Sequence, residues 1–450
     1  MTGQPDITIV GLGPGDPDRL TVAARHALDE AERIFVRSNP GPDLSAVLGP
    51  GRAVDVSTLI QTDRAPGGRW YAAAGAVCDA AADGPVVLAV PGHPRFGEGV
   101  VADVLAIAAE RGLATSVIDG ISAVDLVASV LGFDPLLDGV QCFAGRLLQL
   151  RLPKSPYAGG AFTGTPSRPM LFTHLYDDDI MRTVAASLSR VFPSRHPVTL
   201  IDRAGLPSQE ILESTVGELA DLPVRPMAAL WVPALPGLDA RRDPRTMQQV
   251  SARLRRPDGC PWDRVQTHAS LVPSMLEEVY EVVDAIESGD TVNLAEELGD
   301  LFLHIVLQAQ IAEEAGEFTL EDVYEGIAAK IVRRHPHVFA GEVAETEDDL
   351  HRIWRRVKAE EKAAATHPKP EKDFDGAPFS KPALGRAANV LTDHPVATDG
   401  HLQSPEERSA MLLQAIANVV QAGDDPEVVL RDALRAHLEH AKSILGEIAG

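Results

Sequence analysis

A chain of 450 residues is longer than one ordinary hydrophobic core organises, so two or three domains are expected. Its composition, 45% hydrophobic and 24% charged, is that of a soluble globular protein, and it has no run of about 18 apolar residues and no basic-then-apolar leader, so no membrane is expected. The formal charge of −24 argues against a nucleic-acid surface, which needs clustered Lys and Arg, while Cys78, Cys142 and Cys260 fall in neither paired nor metal-ligand spacing, as suits a reducing cytoplasm.

Residues 6–15, DITIVGLGPG, read as a short apolar strand running into a glycine-rich loop, with a helix and a second strand after it. Gly11, Gly13 and Gly15, with Pro14 among them, would let backbone come close to a ligand; a dinucleotide-binding unit or a plain tight turn would look alike here. A buried strand in residues 84–100 ends in Pro91, Gly92, His93 and Pro94, and another in 115–135 leads through Gly120 and Ser122 into a helix. Further strands are expected in 170–177, 198–211 and 226–233, and the Gly- and Pro-rich stretch 146–169 reads as a loop. Together these segments resemble the tetrapyrrole methylase family, whose two α/β lobes bind S-adenosylmethionine. The resemblance makes Gly11, Gly13, Pro14, Gly15, Pro91, Gly92, His93, Pro94, Gly120 and Ser122 the expected cofactor-binding positions. His93 stands where many relatives carry Asp, so a loop-shaping role is assigned to it.

Residues 235–246 carry Pro, Gly and charge and read as a linker. Beyond it, Pro261 and Trp262 are expected to pack, the alternative for the aromatic being that it borders a ligand pocket. Two amphipathic helices come next, with Leu271, Met275, Val279, Val282 and Ile286 on one and Leu294, Leu298, Leu301, Ile305 and Ala309 on the other, around a Ser288-Gly289-Asp290 turn. Glu281 and Glu297 lie at similar distances from that turn, as do Glu278 and Asp300, so an antiparallel hairpin brings the pairs together. Such acids repel, and oxygen-only ligands suit a hard cation, Mg²⁺ or Mn²⁺; a solvated acidic face is the plain alternative. Thr319 opens another helix that ends at Arg334, before Pro336, and Lys330 and Arg334 share one of its faces. There they either meet triphosphate oxygens or merely balance the acids.

The run from Leu254 to Trp354 resembles the MazG family of nucleoside triphosphate pyrophosphohydrolases: LRRPDGCPWDRVQTH, then EEVYE and EELGD as the split acidic motif EExxE…ExxD, then KIVRRHPHVF and IWRRVKAEEK, in the family's order. The resemblance implies cleavage of nucleoside triphosphates to monophosphate and pyrophosphate. Glu278, Glu281, Glu297 and Asp300 would hold the metal, Glu277 would be a further ligand or the base that orients water, and Lys330, Arg334 and Lys358 would bind phosphate. It also implies a homodimer through the MazG bundle, for which Val282, Val283, Phe302 and Val306 are the expected apolar surface.

Residues 363–381 read as a second linker, and PEERSAMLLQAIANVVQAGDDPEVVLRDALRAHLEHA resembles the later helices of a second MazG repeat. There Glu407 survives, Ala410 replaces the aspartate and the EExxE helix is missing. Two apolar sets, Met411, Leu412, Ala415, Ile416, Val419 and Val420, then Leu430, Leu434, Leu438, Ala441 and Leu445, predict packed helices. The expected architecture, that of YabN-like fusions, is a two-lobed α/β methylase-like domain (1–236), an all-α MazG helical bundle (245–362) and a degenerate C-terminal helical repeat (380–450). Two other functions fit the same sequence: an S-adenosylmethionine-dependent methyltransferase that uses MazG only to dimerise, and a nucleotide-binding regulator.

Overall fold

The computed structural model describes residues 4–37, 44, 47–49, 51–59, 70–146, 148, 164–223, 225, 227–364, 404–424, 426–430, 432–434 and 436–437. It divides into two compact units, residues 1–323 and 324–450.

In the first unit, β1 (Ile7–Gly11), α1 (Val22–Glu30), β2 (Ile34–Val36), β3 (Ala53–Asp55), α2 (Tyr71–Ala81), β4 (Val86–Val90), α3 (Gly99–Arg111) and β5 (Thr115–Ile118) form one lobe. Its five strands are all parallel, in the order β3-β2-β4-β1-β5. Strands buried on both faces need no polar alternation, and β4 is five consecutive buried apolar residues. One face of the sheet packs Ile7, Ile9, Val86 and Leu88 under α2 and α3, and the other packs Val10, Val87 and Ala89 under α1.

The second lobe begins after α4 (Ala123–Leu131) and contains β6 (Gln141–Ala144), β7 (Met170–Thr173), α5 (Asp178–Ser189), β8 (Pro197–Asp202), β9 (Glu210–Thr215) and β10 (Ala228–Val232). Its sheet, β6-β7-β10-β8-β9, is antiparallel except for the β6–β7 pair. Val124, Leu126 and Val127 of α4 pack against Leu171, Ile201 and Ala229 of this sheet, so the helix that leaves the first lobe is built into the core of the second.

Residues 235–246, expected as a linker, are tied down. Leu235 and Ala240 are buried, the Leu235 N–H donates to the Pro166 carbonyl, and Arg242 donates to the Ser189 carbonyl. Asp243 then caps α6 (Pro244–Arg255), its carboxylate accepting from the Arg245 N–H and held also by that arginine's guanidinium.

The hairpin forms where the sequence places it: α7 (Val272–Ser288) ends on Gly289 at φ 71°, and Asp290 caps α8 (Thr291–Ala315) by accepting from the N–H groups of Val292 and Asn293. A left-handed residue between two helices is what glycine supplies without a Cβ penalty. Which faces are buried differs from the periodicity. Ile286 and Leu298 are 60% and 48% exposed, whereas Ala285, His304, Val306, Leu307, Ala309 and Ala312 are buried. Val306, expected on an outer surface, is 1% exposed and packs with Phe302, Ala309 and Leu320; Val282 is half-buried and Val283 exposed.

Helix α9 (Leu320–Arg334) opens on a Thr319–Asp322 capping box, and its first residues close the first unit. The second unit contains the rest of α9, α10 (Pro336–Phe339), α11 (Glu347–Ala364) and α12 (Pro405–Gln421). Among the described side chains of α11, Ile353 and Val357 are buried. On α12 the expected packing is only partly present: Met411 and Leu412 are exposed, Ile416 and Val419 half-buried, and Leu434 beyond it buried. The second linker from residue 365 on, most of the 146–169 loop, and Val420, Leu438, Ala441 and Leu445 of the C-terminal stripe lie outside the described residues and side chains. No helix among the described residues is long and apolar enough to cross a membrane.

Candidate functional site

Two groups of expected site residues assemble in the first unit. In the methylase-like lobe the loops after β1, β4 and β5 leave the carboxyl ends of three adjacent strands, the place where open α/β sheets take ligands. Gly11, Gly92 and Gly120 meet there. A Cβ on Gly11 would lie 2.7 Å from the Gly92 carbonyl oxygen, and one on Gly120 2.4 Å from the same atom, so neither position admits a side chain. Gly13, at φ 60°, exchanges backbone hydrogen bonds with Gly92, at φ 68°, in both directions (3.2 and 2.8 Å). Gly15 also has positive φ, and Pro14 and Pro94 are buried beside these turns. His93 Nδ1 accepts from the Arg95 N–H at 3.0 Å and its Nε2 lies 3.3 Å from Asp119 Oδ1, a loop-shaping arrangement. Ser122 caps α4: its Oγ donates to Asp125 at 2.7 Å and accepts from the Asp125 N–H, and Pro91 opens the neighbouring turn half-exposed.

The second group is the hairpin. Glu278 and Glu281 on α7 and Glu297 on α8 place carboxylate oxygens within 4.8 Å of one another. Asp300 is outside that closest set, yet its charge acts on Glu278, Glu297 and His304. Burial, then the charges of Asp300 and Glu281, raise the Glu278 carboxyl above the ordinary range; burial, then Glu281 and Asp300, raise that of Glu297. Carboxylates pushed upward by burial and by one another's charge form a site that gains from a cation. The donor set, oxygens only on two rigid helices, fits a hard divalent ion such as Mg²⁺ or Mn²⁺. Glu277 is exposed and does not join the converging three.

Arg255, which sequence reasoning passed over, fixes this hairpin. Its guanidinium donates to both carboxylate oxygens of Glu314 at the end of α8 (2.8 to 3.1 Å) and to the carbonyls of Asp263 and Gln266. With 7% of its side chain exposed, the arginine ties α6, the turn before α7 and the end of α8 together and lowers the Glu314 pKa. Just beyond it the chain folds back on the helix end: the Cys260 N–H donates to the Leu254 carbonyl, and a Cβ on Gly259 would lie 2.1 Å from that oxygen. Pro261 and Trp262, expected to pack, are instead exposed, Trp262 by 57%.

In the second unit, Lys330 and Lys358 are exposed, and Arg334 shares Glu361 with Arg333. The two guanidinium groups hold the Glu361 carboxyl down at about 2. His335 donates to the Ile331 carbonyl at 2.7 Å and meets the edge of Trp354.

Known proteins match in the same two places. The family profile of tetrapyrrole (corrin/porphyrin) methylases matches residues 6–220, and that of the MazG nucleotide pyrophosphohydrolase domain matches residues 266–339. The Escherichia coli (strain K12) nucleoside triphosphate pyrophosphohydrolase is 44% identical over 142 residues, 31% of this chain and 53% of that protein. Its Thermotoga maritima counterpart, a nucleoside triphosphate pyrophosphohydrolase/pyrophosphatase MazG, is 45% identical over 113 residues, 25% of this chain and 43% of that protein. This chain thus spans about half the length of each of these two relatives. YabN of Bacillus subtilis (strain 168) is 31% identical over 398 residues, covering 87% of this chain and 77% of YabN. With a methylase domain leading into a MazG domain along one chain, this protein belongs to the family of tetrapyrrole methylase–MazG fusions that includes YabN.

Proposed function

We propose that this protein hydrolyses nucleoside triphosphates to monophosphate and pyrophosphate with Mg²⁺, in the manner of a nucleotide-pool house-cleaning enzyme. The observation that carries the reading is the convergence of Glu278, Glu281 and Glu297 across the α7–α8 turn, within the segment that matches the MazG profile. Asp300 completes the set by charge. When bound, the divalent ion neutralises phosphate charge and lowers the pKa of a bound water. The chain's own part is to hold the carboxylates in place, with Glu277 a further ligand or the base that takes a proton from the attacking water. The bridging P–O bond between the α and β phosphates breaks, and pyrophosphate leaves with the bonding pair. Lys330, Arg334 and Lys358 are assigned to phosphate oxygens, where guanidinium and ammonium donors stabilise developing charge.

The exposed apolar residues of the hairpin, Val279, Val283, Ile286, Leu298 and Ile305, support a homodimer in which two hairpins cover each other. Light scattering at micromolar concentration should give twice the chain mass, and a monomer counts against it. For the methylase-like domain the glycine loops support binding of S-adenosylmethionine or its demethylated product. The high acidity and unpaired free cysteines suit a cytoplasmic protein that leaves nucleic acid alone.

A panel of nucleoside triphosphates, assayed for pyrophosphate with Mg²⁺ and with EDTA, tests the hydrolase. Release that requires Mg²⁺ supports it. No release from any member would turn the reading towards a methyltransferase that uses its MazG part to dimerise, or a regulator that binds without turnover.

A further inference from the structure

His304 interrupts a run of apolar residues on α8, Leu301, Phe302 and Leu303 before it and Ile305, Val306 and Leu307 after it. It is 6% exposed, its Nδ1 has no hydrogen-bond partner, and its Nε2 lies 3.9 Å from Oε1 of Glu278 on α7. That gap is too long for a hydrogen bond. Burial holds the imidazole pKa below its ordinary value, against the pull of Asp300.

A buried imidazole with an unmet nitrogen destabilises the fold, because the group loses water without gaining a partner. The apolar neighbours in sequence show that a leucine would suit the helix at that position. The ring's placement against Glu278 is therefore the feature to explain.

We propose that His304 is a positioning residue for Glu278, its Nε2–H turning that carboxylate to share a divalent cation with Glu281 and Glu297. The inference rests on the reading of the hairpin as a metal site. The tautomer is set by the surroundings. A proton on Nδ1 would bury a donor without an acceptor and set a bare Nε2 lone pair against a carboxylate, whereas a proton on Nε2 points a donor at Glu278. The three carboxylates already lie within 4.8 Å of one another and repel; when a cation binds and draws them closer, Glu278 needs a partner for the oxygen that it does not commit. Metal-ligating carboxylates are commonly held by such hydrogen bonds, and losing one costs about 10- to 100-fold in metal affinity or activity.

The test uses the full chain, stripped with EDTA and titrated with Mn²⁺ alone, free ion being read by electron paramagnetic resonance. Wild type is compared with His304→Leu and His304→Gln, each first checked for a cooperative melt. The leucine variant should bind Mn²⁺ about tenfold more weakly or worse. Glutamine, whose amide nitrogen reaches where Nε2 stood, should restore most of that loss, which a packing role would not do. In Mg²⁺-dependent turnover the leucine variant should need more Mg²⁺, with the KM for nucleotide at saturating Mg²⁺ unchanged. Wild-type Mn²⁺ affinity in a folded leucine variant, or equal loss in leucine and glutamine variants, overturns the inference while the metal site stands. Absence of Mn²⁺ binding in wild type would sink the metal reading and this inference with it.

Discussion

Arg334 donates to Glu361 through Nη2 at 2.7 Å and through Nε at 3.3 Å to each oxygen, and Arg333 grips the same carboxylate at 2.6 Å. One acid thus ties the end of α9 to the end of α11 and leaves the Nη1 group of Arg334 for another acceptor. The folded pKa of Glu361, about 2 against 4.5 for the free group, fixes the sign of the acid response. A depressed carboxyl contributes stability that is fully present above 4.5 and is lost as pH falls towards about 2. Far-UV circular dichroism of the full chain should show helix loss in that window, and Glu361→Gln should reduce that loss while lowering helix stability at neutral pH. Identical acid titrations of variant and wild type would mean that the pair does not hold the two helices.

The converging carboxylates give the opposite sign. Glu278 and Glu297 carry raised pKa values, so without a cation the fold gains stability as pH falls through those values. Removing one acid has the same effect: Glu281→Ala or Asp300→Ala should leave the EDTA-treated protein as stable as wild type or more so. Added Mg²⁺ should stabilise wild type by about 2.7 kcal/mol at a hundredfold excess over the dissociation constant and the variants by little. Pyrophosphate release should fall by about 100-fold or more. Unchanged turnover in both variants would remove the carboxylates from the site.

Much of this was legible because local chemistry fixed it. Gly289 and Asp290 declare a helix stop and a helix start whatever surrounds them, and the glycines at the ends of β1, β4 and β5 mark close backbone approach at Gly11 and Gly120 and left-handed turns at Gly13 and Gly92. The buried faces of the hairpin were not legible. Periodicity puts Val279 and Ile286 on an apolar stripe of one helix and Leu298 and Ile305 on that of the next, but does not show whether their cover comes from the same chain or from another. Arg255 failed to stand out for a related reason: its partner Glu314 is 59 residues away, and charge on a helix reads as solvated until the partner is seen. Trp262 was misjudged because aromatics are usually buried.

The glycine loops of the methylase-like lobe separate fold from binding. Gly11→Ala and Gly120→Ala should fail to fold, since backbone already fills the space of either Cβ. Gly13 differs: its Cβ would come no nearer than 3.4 Å to the Arg19 carbonyl oxygen and 3.8 Å to Ile121, ordinary contacts, so the cost is the left-handed backbone at φ 60°. Gly13→Val should therefore fold with about 1–3 kcal/mol of local strain and lose binding of S-adenosylmethionine and of its demethylated product by calorimetry, while pyrophosphate release persists. Equal heats in variant and wild type would move the ligand away from this loop.

Glu407 separates a structural C-terminal repeat from a catalytic one. Its side chain accepts from the Ser404 N–H at 3.1 Å and its own N–H donates to Ser404 Oγ at 3.1 Å, so the carboxylate is the far half of a capping box at the start of α12. A metal ligand would have its oxygens facing other carboxylates; three positions on stands exposed Ala410, which offers none. Ser404→Ala should lower the stability of this helix by about 1 kcal/mol, and Glu407→Ala should weaken the same cap while leaving Mg²⁺-dependent turnover per folded molecule unchanged. Truncation after Pro382 should reduce solubility or the melting temperature and keep turnover. A truncated protein that stays folded and dimeric yet releases no pyrophosphate, or loss of turnover in Glu407→Ala alone, would place this segment in the active site.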